Sequence, residues 1–122
     1  PIPQIPDFVE STQIRLRAAL PGVRVAPFGH VGDGNLHYNL GAPRTIQPGD
    51  WAAAAPGLTA IVVDEVARRG GSISAEHGLG RTKRAGARAL KSPVEWSVMR
   101  ALKQSLDPLG ILNPGVLLPD ES

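Results

Sequence analysis

The sequence of 122 residues predicts an α+β fold, a small antiparallel sheet with helices packed on it. Three observations carry this expectation. Apolar residues recur at helical spacing over Asp7–Leu20, Trp51–Arg69 and Pro93–Leu106. Two β-prone runs, Val23–His30 and Leu36–Leu40, lie on either side of Asp33-Gly34, a strong hairpin signal. The resulting order is helix, hairpin, helix, strand, helix, which groups a small antiparallel sheet with helices.

The first helix places Phe8, Val9, Ile14, Leu16 and Leu20 among polar residues, and Pro21-Gly22 stops it. In the hairpin, a two-residue type I′ turn at Asp33-Gly34 needs φ > 0 at both positions. It sets Gly32 opposite Asn35, Val31 opposite Leu36 and His30 opposite His37. Ala42–Asp50, with its prolines and glycine, reads as a loop. Trp51–Arg69 is the longest helix: Leu58, Ile61, Val62, Glu65 and Val66 keep helical spacing, and Pro56 and Gly57 delay its regular start. Gly70-Gly71 is a C-terminal stop, and Ser72–Ala75 reads as a short strand. Pro93–Leu106 is amphipathic, with Val94, Val98, Met99, Leu102 and Leu106 on one side, and Asp107-Pro108 ends it. Leu109–Leu118 is an irregular tail containing Asn113-Pro114-Gly115. There is no internal repeat, coiled coil or low-complexity tract.

Composition bounds the function. Hydrophobic residues make up 42%, enough to fold, and aromatics only 4%, so the core is expected to rest on Val, Leu, Ile and Ala. The length fits one domain, 1–122. The absence of Cys excludes disulfides, thiolate ligands and Cys nucleophiles, and fits a cytosolic or matrix protein. No secretory n- and h-region and no apolar run long enough for a transmembrane segment is present. The chain begins Pro1-Ile2 without Met, which suggests an excised or processed piece. The net charge is +2. The basic run Arg81, Lys83, Arg84, Arg88 and Lys91 reads foremost as a solvated helix face, with steering of a carboxylate or phosphate group as the functional alternative. Nucleic acid is not expected as a partner, because the run lacks interleaved aromatics.

The chemistry gathers in two segments. All 3 His lie in Gly29–His37 and Ser74–Gly80. Opposed imidazoles on one hairpin face can share a transition metal at Zn–N distances of about 2.0–2.1 Å. Glu76 is the natural third ligand, and three protein ligands with an open position is the pattern of catalytic zinc. The bland reading is a glycine-rich hairpin with hydrogen-bonded histidines, and spacing alone leaves both open. His77 can serve as a general base, since imidazole titrates near neutral pH, or can sit against a backbone carbonyl. Asn35 can hydrogen-bond a substrate or cofactor, or satisfy the hairpin backbone, and Asp33 reads as a turn residue. Gly78-Leu79-Gly80 allows close approach of a ligand, or simply turns the chain. It is not a dinucleotide fingerprint, because Lys83 stands where a third glycine belongs. Asn113-Pro114-Gly115 is an ordinary turn by composition. No nucleophile elbow and no P-loop is present.

Pro27–His37, Ser74–Lys83 and Leu106–Gly115, in that order, resemble the C-terminal region of FAD-linked oxidases of the vanillyl-alcohol-oxidase superfamily. The branch is that of D-lactate dehydrogenase, the glycolate oxidase flavin subunit and D-2-hydroxyglutarate dehydrogenase, and the likeness covers most of Val25–Leu118. The resemblance implies that His30, His37 and Glu76 bind a divalent metal, zinc foremost, and that His77 takes the substrate's hydroxyl proton. It implies that Asn35 lines the substrate and flavin pocket and that Asn113 lies near the flavin. The substrate implied is a small D-2-hydroxy acid: D-lactate, glycolate or D-2-hydroxyglutarate. The family carries its FAD-binding domain upstream, and that region is absent from this sequence. The expectation is therefore a piece of a larger flavoenzyme, 1–92 from its cap domain and 93–122 its C-terminal helix and tail. Alone it would bind no FAD, be inactive and form a homodimer through uncovered apolar surface. The location implied is cytoplasmic, with the inner membrane reached only through partner subunits. Where the family often has Lys after Asn-Pro-Gly, this chain has Val116, which removes the expectation of a contact from that position. Two other classes stand beside this reading: a stand-alone metal-binding or metallohydrolase-like module, and a non-catalytic interaction subunit.

Overall fold

Helical periodicity at three places and one β-prone pair become, in the computed structural model, four α-helices and one two-stranded antiparallel sheet among the described residues, 1–74 and 76–118. This is the α+β class expected. The chain divides into two compact units, Pro1–Gly71 and Ser72–Ser122.

The first unit holds α1 (Ile5–Ala19), β1 (Arg24–His30), β2 (Asn35–Gly41) and α2 (Pro48–Arg68). Helix α1 has Pro6 and Asp7 in its first turn, where a missing N–H costs nothing and a carboxylate suits the dipole. Helix α2 begins at Pro48, earlier than the expected Trp51, for the same reason. Pro56 lies inside α2 without ending it. An interior proline costs about 3 kcal/mol in an isolated helix. Here the burial of Leu58 and the packing of Ile61 and Val62 offset that cost. Leu16, Val23 and Leu58 form the buried centre, with Val25, Tyr38, Leu40 and Trp51 packed against it. Strand alternation puts Val25, Tyr38 and Leu40 on this core face. Phe8 meets Tyr38 edge-on at 5.5 Å, so the few aromatics add to the aliphatic core the composition suggested.

One charge is built into this unit. Glu65, on the apolar stripe of α2, is only 4% exposed. Arg15 Nη1 donates to its Oε1 at 2.6 Å and to Asp64 Oδ2 at 2.6 Å. Ser11 Oγ donates to Glu65 Oε2 at 3.1 Å, and Arg69 donates to the same oxygen while lying over the Phe8 ring. The hydrogen bond from Arg15 leads in holding the carboxyl at about 2, below its ordinary 4.5, against the opposing effect of burial. The folded form binds this proton more weakly than the unfolded form. The stabilisation is therefore complete above pH 4.5 and lost as pH falls toward 2. Glu65→Gln should cost about 2 kcal/mol near neutral pH, the usual worth of hydrogen bonds to a charged group. It should also flatten the acid dependence of denaturant midpoints below pH 4.5. A variant whose midpoints fall with acid as steeply as wild type would show that Glu65 is not the titrating group.

The second unit holds α3 (Arg84–Leu90) and α4 (Pro93–Leu106). Leu79, Ala87 and Trp96 are its buried centre, joined by Ile73, Met99 and Leu118. Helix α4 starts where expected because Ser92 and Glu95 form a capping box, with Pro93 at the first helical position. It ends at buried Asp107, whose carboxylate accepts from Lys103 Nζ at 2.5 Å and from the backbone N–H of Ile111 and Leu112. Two expectations fail here. Ser72–Ser74 forms no strand, and Ala75 lies outside the described residues. Of the expected apolar side of α4, only Met99 packs, because the much larger Trp96 takes the core position with Leu79 and Ala87. Val94, Val98, Leu102 and Leu106 are exposed, as are Leu109, Ile111 and Leu112 in the tail. Among the described residues, no helix is long and apolar enough to cross a membrane.

Candidate functional site

The hairpin that carries His30, Asn35 and His37 closes differently from the expected two-residue turn. Val31–Asp33 form a single 3₁₀ turn, and Gly34 follows at φ +71° with its N–H on the Val31 carbonyl at 3.1 Å. Asp33 is not among the residues with positive φ, so the type I′ geometry is not met. The loop is Val31–Gly34, and the register moves with it: His30 lies opposite Asn35, and His37 lies opposite Phe28. The slip keeps the face, because each partner moves by an even number of positions. Phe28, His30, Asn35 and His37 all sit on the side of the ladder away from Val25, Tyr38 and Leu40. His30 and His37 become diagonal neighbours, about 7–8 Å apart at the backbone, within reach of long side chains. Gly29 holds the strands together beside them: at φ +146°, a Cβ there would sit 2.5 Å from the Asn35 carbonyl oxygen.

Phe28 is the side chain that sequence reasoning missed on this face. Its ring stacks on the His37 imidazole, with centroids 5.1 Å apart and planes 20° from parallel. The signal lay in the motif itself, since a large aromatic two positions before His30 shares its face. His37 is half-buried and His30 exposed.

In the second unit, Glu76 and His77 lie side by side, with Glu76 Oε1 3.4 Å from His77 Nε2. Neighbours in sequence usually diverge. Here Gly78 and Gly80 follow at φ +67° and +56°, backbone that side chains rarely adopt, and buried Leu79 between them anchors the loop. The Asn113 segment lies against this loop. Leu117 N–H donates to the Gly80 carbonyl at 3.2 Å, and Arg81 Nη2 donates to the Pro114 carbonyl at 3.0 Å. Arg84 Nη1 donates to the Leu118 carbonyl at 3.1 Å. Asn113 itself is exposed, at φ +48°.

The basic run is thus more than a solvated face. Arg81 and Arg84 bind the tail, Lys83 Nζ donates to the Ile73 carbonyl at 3.3 Å, and Lys91 pairs with Glu95 at 3.1 Å. Sequence patterning gave no sign of this, since a cation that will bind a carbonyl reads the same as one that will meet water.

Each unit therefore brings part of the expected set together. Imidazoles and an amide share one hairpin face, and a carboxylate adjoins an imidazole in a glycine-framed loop held to the Asn113 tail. Nitrogen and carboxylate donors without sulfur suit zinc and similar divalent ions. Comparison with known proteins identifies the family. The chain matches the family model of FAD linked oxidases, C-terminal domain, over residues 1–117. It is 41% identical over 116 residues to D-2-hydroxyglutarate dehydrogenase of Xanthomonas citri pv. viticola, covering 95% of this chain and 25% of that protein. It is 40% identical over 122 residues to the mitochondrial D-2-hydroxyglutarate dehydrogenase of Danio rerio, covering 98% and 21%. An uncharacterized FAD-linked oxidoreductase of Mycobacterium tuberculosis is 40% identical over 120 residues, covering 98% and 24%. The chain spans about a quarter of the length of the curated relatives it matches.

Proposed function

Because the chain belongs to the C-terminal domain family of FAD-linked oxidases, we propose that it forms the substrate- and metal-binding part of an FAD-dependent D-2-hydroxy-acid dehydrogenase. Among D-lactate, glycolate and D-2-hydroxyglutarate, the names of its relatives favour D-2-hydroxyglutarate. The observation that carries the reading is the division of the hairpin into two faces. One packs on the core, and the other gathers His30, His37 and Asn35 on a single polar face. In this reading 1–92 corresponds to cap domain and 93–122 to the C-terminal helix and tail.

His30, His37 and Glu76 would hold the divalent metal, zinc foremost. Such an ion would act as a Lewis acid on the bound hydroxy acid and ease loss of its hydroxyl proton. FAD, held by the part of the enzyme outside this chain, supplies the two-electron acceptor. His77 removes the hydroxyl proton onto its imidazole. Glu76, beside it, fits the ligand role, because a carboxylate offers a charged oxygen ligand whereas an imidazole nitrogen can accept the substrate's proton. Asn35, on the histidine face, would orient substrate or flavin, and Asn113, in the tail that Arg81 binds, would lie near the flavin. The apolar surface of Val94, Val98, Leu102 and Leu106 is assigned to a neighbouring domain, and would pair two copies of the chain if that domain were missing. A cytoplasmic location accords with the absence of Cys.

The test is metal content. His37→Ala in the intact enzyme should lower bound zinc at least about tenfold by elemental analysis, with flavin content unchanged. Wild-type metal content in that variant would remove His37 from the ligand set and the reading with it.

A further inference from the structure

Phe28 belongs to neither core cluster and leaves 53% of its surface exposed, so packing of the fold does not account for it. It stands directly across from His37 in the ladder, and their rings stack at 5.1 Å and 20°. Ala26, His30, Asn35 and Asn39 are its other neighbours on that face. From this geometry we infer that Phe28 is a positioning residue for His37, setting the plane in which its ring nitrogens point at a ligand. The inference rests on the metal-binding reading of His37 given above.

The physical case concerns the softness of the imidazole torsion. The outer torsion of His is broad and roughly two-fold, so an isolated ring samples many planes. The lone pair of a ring nitrogen lies in the ring plane, and the plane therefore decides the directions in which a metal can be met. A phenyl ring against one face leaves only two flip-related states of one plane. It also keeps water off that face. The backbone holds the pairing firm, since the strands run so close at Gly29 that a Cβ there would sit 2.5 Å from the Asn35 carbonyl oxygen. Orientation of a metal-binding His is usually set by a hydrogen bond to its other nitrogen; here a stacked ring adds a second constraint.

The experiment uses the intact protein and zinc alone as the probe. Phe28→Leu and Phe28→Met keep apolar volume but lose the flat ring; Phe28→Tyr keeps it. The leucine and methionine variants should bind zinc about 3- to 10-fold more weakly by calorimetry, and the tyrosine variant within about twofold of wild type. In metal-free, histidine-labelled protein, the upfield ring-current displacement of the His37 ring protons should vanish in Phe28→Leu and persist in Phe28→Tyr. A merely structural role would not produce that pattern. Wild-type affinity in both aliphatic variants, or an equal loss in Phe28→Tyr, overturns the inference while leaving His37 as a ligand. Absence of zinc binding by the wild-type protein overturns both.

Discussion

His77→Asn should slow flavin reduction by a D-2-hydroxy acid by about 10²–10⁴-fold, the usual contribution of a general base. The metal should stay in place. The prediction follows from the unlike chemistry of two adjacent side chains, whose Oε1 and Nε2 atoms lie 3.4 Å apart. They share one loop, so a change in loop position would affect both alike. Asparagine keeps the polarity and approximate size of the imidazole but cannot take a proton. Glu76→Gln should behave differently: an amide binds a divalent cation far more weakly than a carboxylate, and metal and activity should fall together. Rapid-mixing kinetics with metal analysis on the same samples separates the two. If His77→Asn strips the metal while Glu76→Gln retains it, the roles are reversed. If both reduce flavin at the wild-type rate, the chemistry lies elsewhere.

The elements that sequence revealed are those governed by local rules. Helix α4 began at Pro93 because Ser92, Pro93 and Glu95 are a local capping signal, and it ended at Asp107, whose carboxylate caps the tail. The candidate residues were visible because His and Glu among glycines are rare in packed structure. What stayed hidden depends on competition between distant groups. Asp33-Gly34 is a strong two-residue turn signal, yet Asp33 keeps ordinary backbone, and Gly34 alone takes positive φ. The longer loop lets Val31 and Gly32 join the turn and slides His37 opposite Phe28. The apolar spacing at Val94, Val98, Leu102 and Leu106 does line up along α4, but on its exposed side. Which side of α4 meets the core was decided by Trp96, whose area outweighs that of the valines. The tail contacts of Arg81 and Arg84 reach more than thirty residues along the chain and leave no periodic trace.

Gly29→Ala should be the most damaging single methyl in the hairpin, costing about 3 kcal/mol or more in denaturant unfolding. Two independent terms add. At φ +146° a residue with a Cβ is strained whatever the space around it, and the space is also closed. The new carbon would sit 2.5 Å from the Asn35 carbonyl oxygen and 3.2 Å from the Leu36 Cα, both backbone atoms that cannot swing aside as a side chain would. Relief requires the strands to part, and parting them carries Asn35 and His37 away from His30 and Phe28. Zinc affinity should therefore fall along with stability. Gly32→Ala is the control three residues on. No atom lies within 4 Å of a Cβ at Gly32, and its φ is outside the left-handed range. It should change stability by less than about 0.5 kcal/mol, the usual effect of a surface substitution. Equal midpoints for the two variants would mean that the close approach at Gly29 does not hold the register. A stable Gly29→Ala with weakened zinc binding would instead place the cost of that methyl on the site alone.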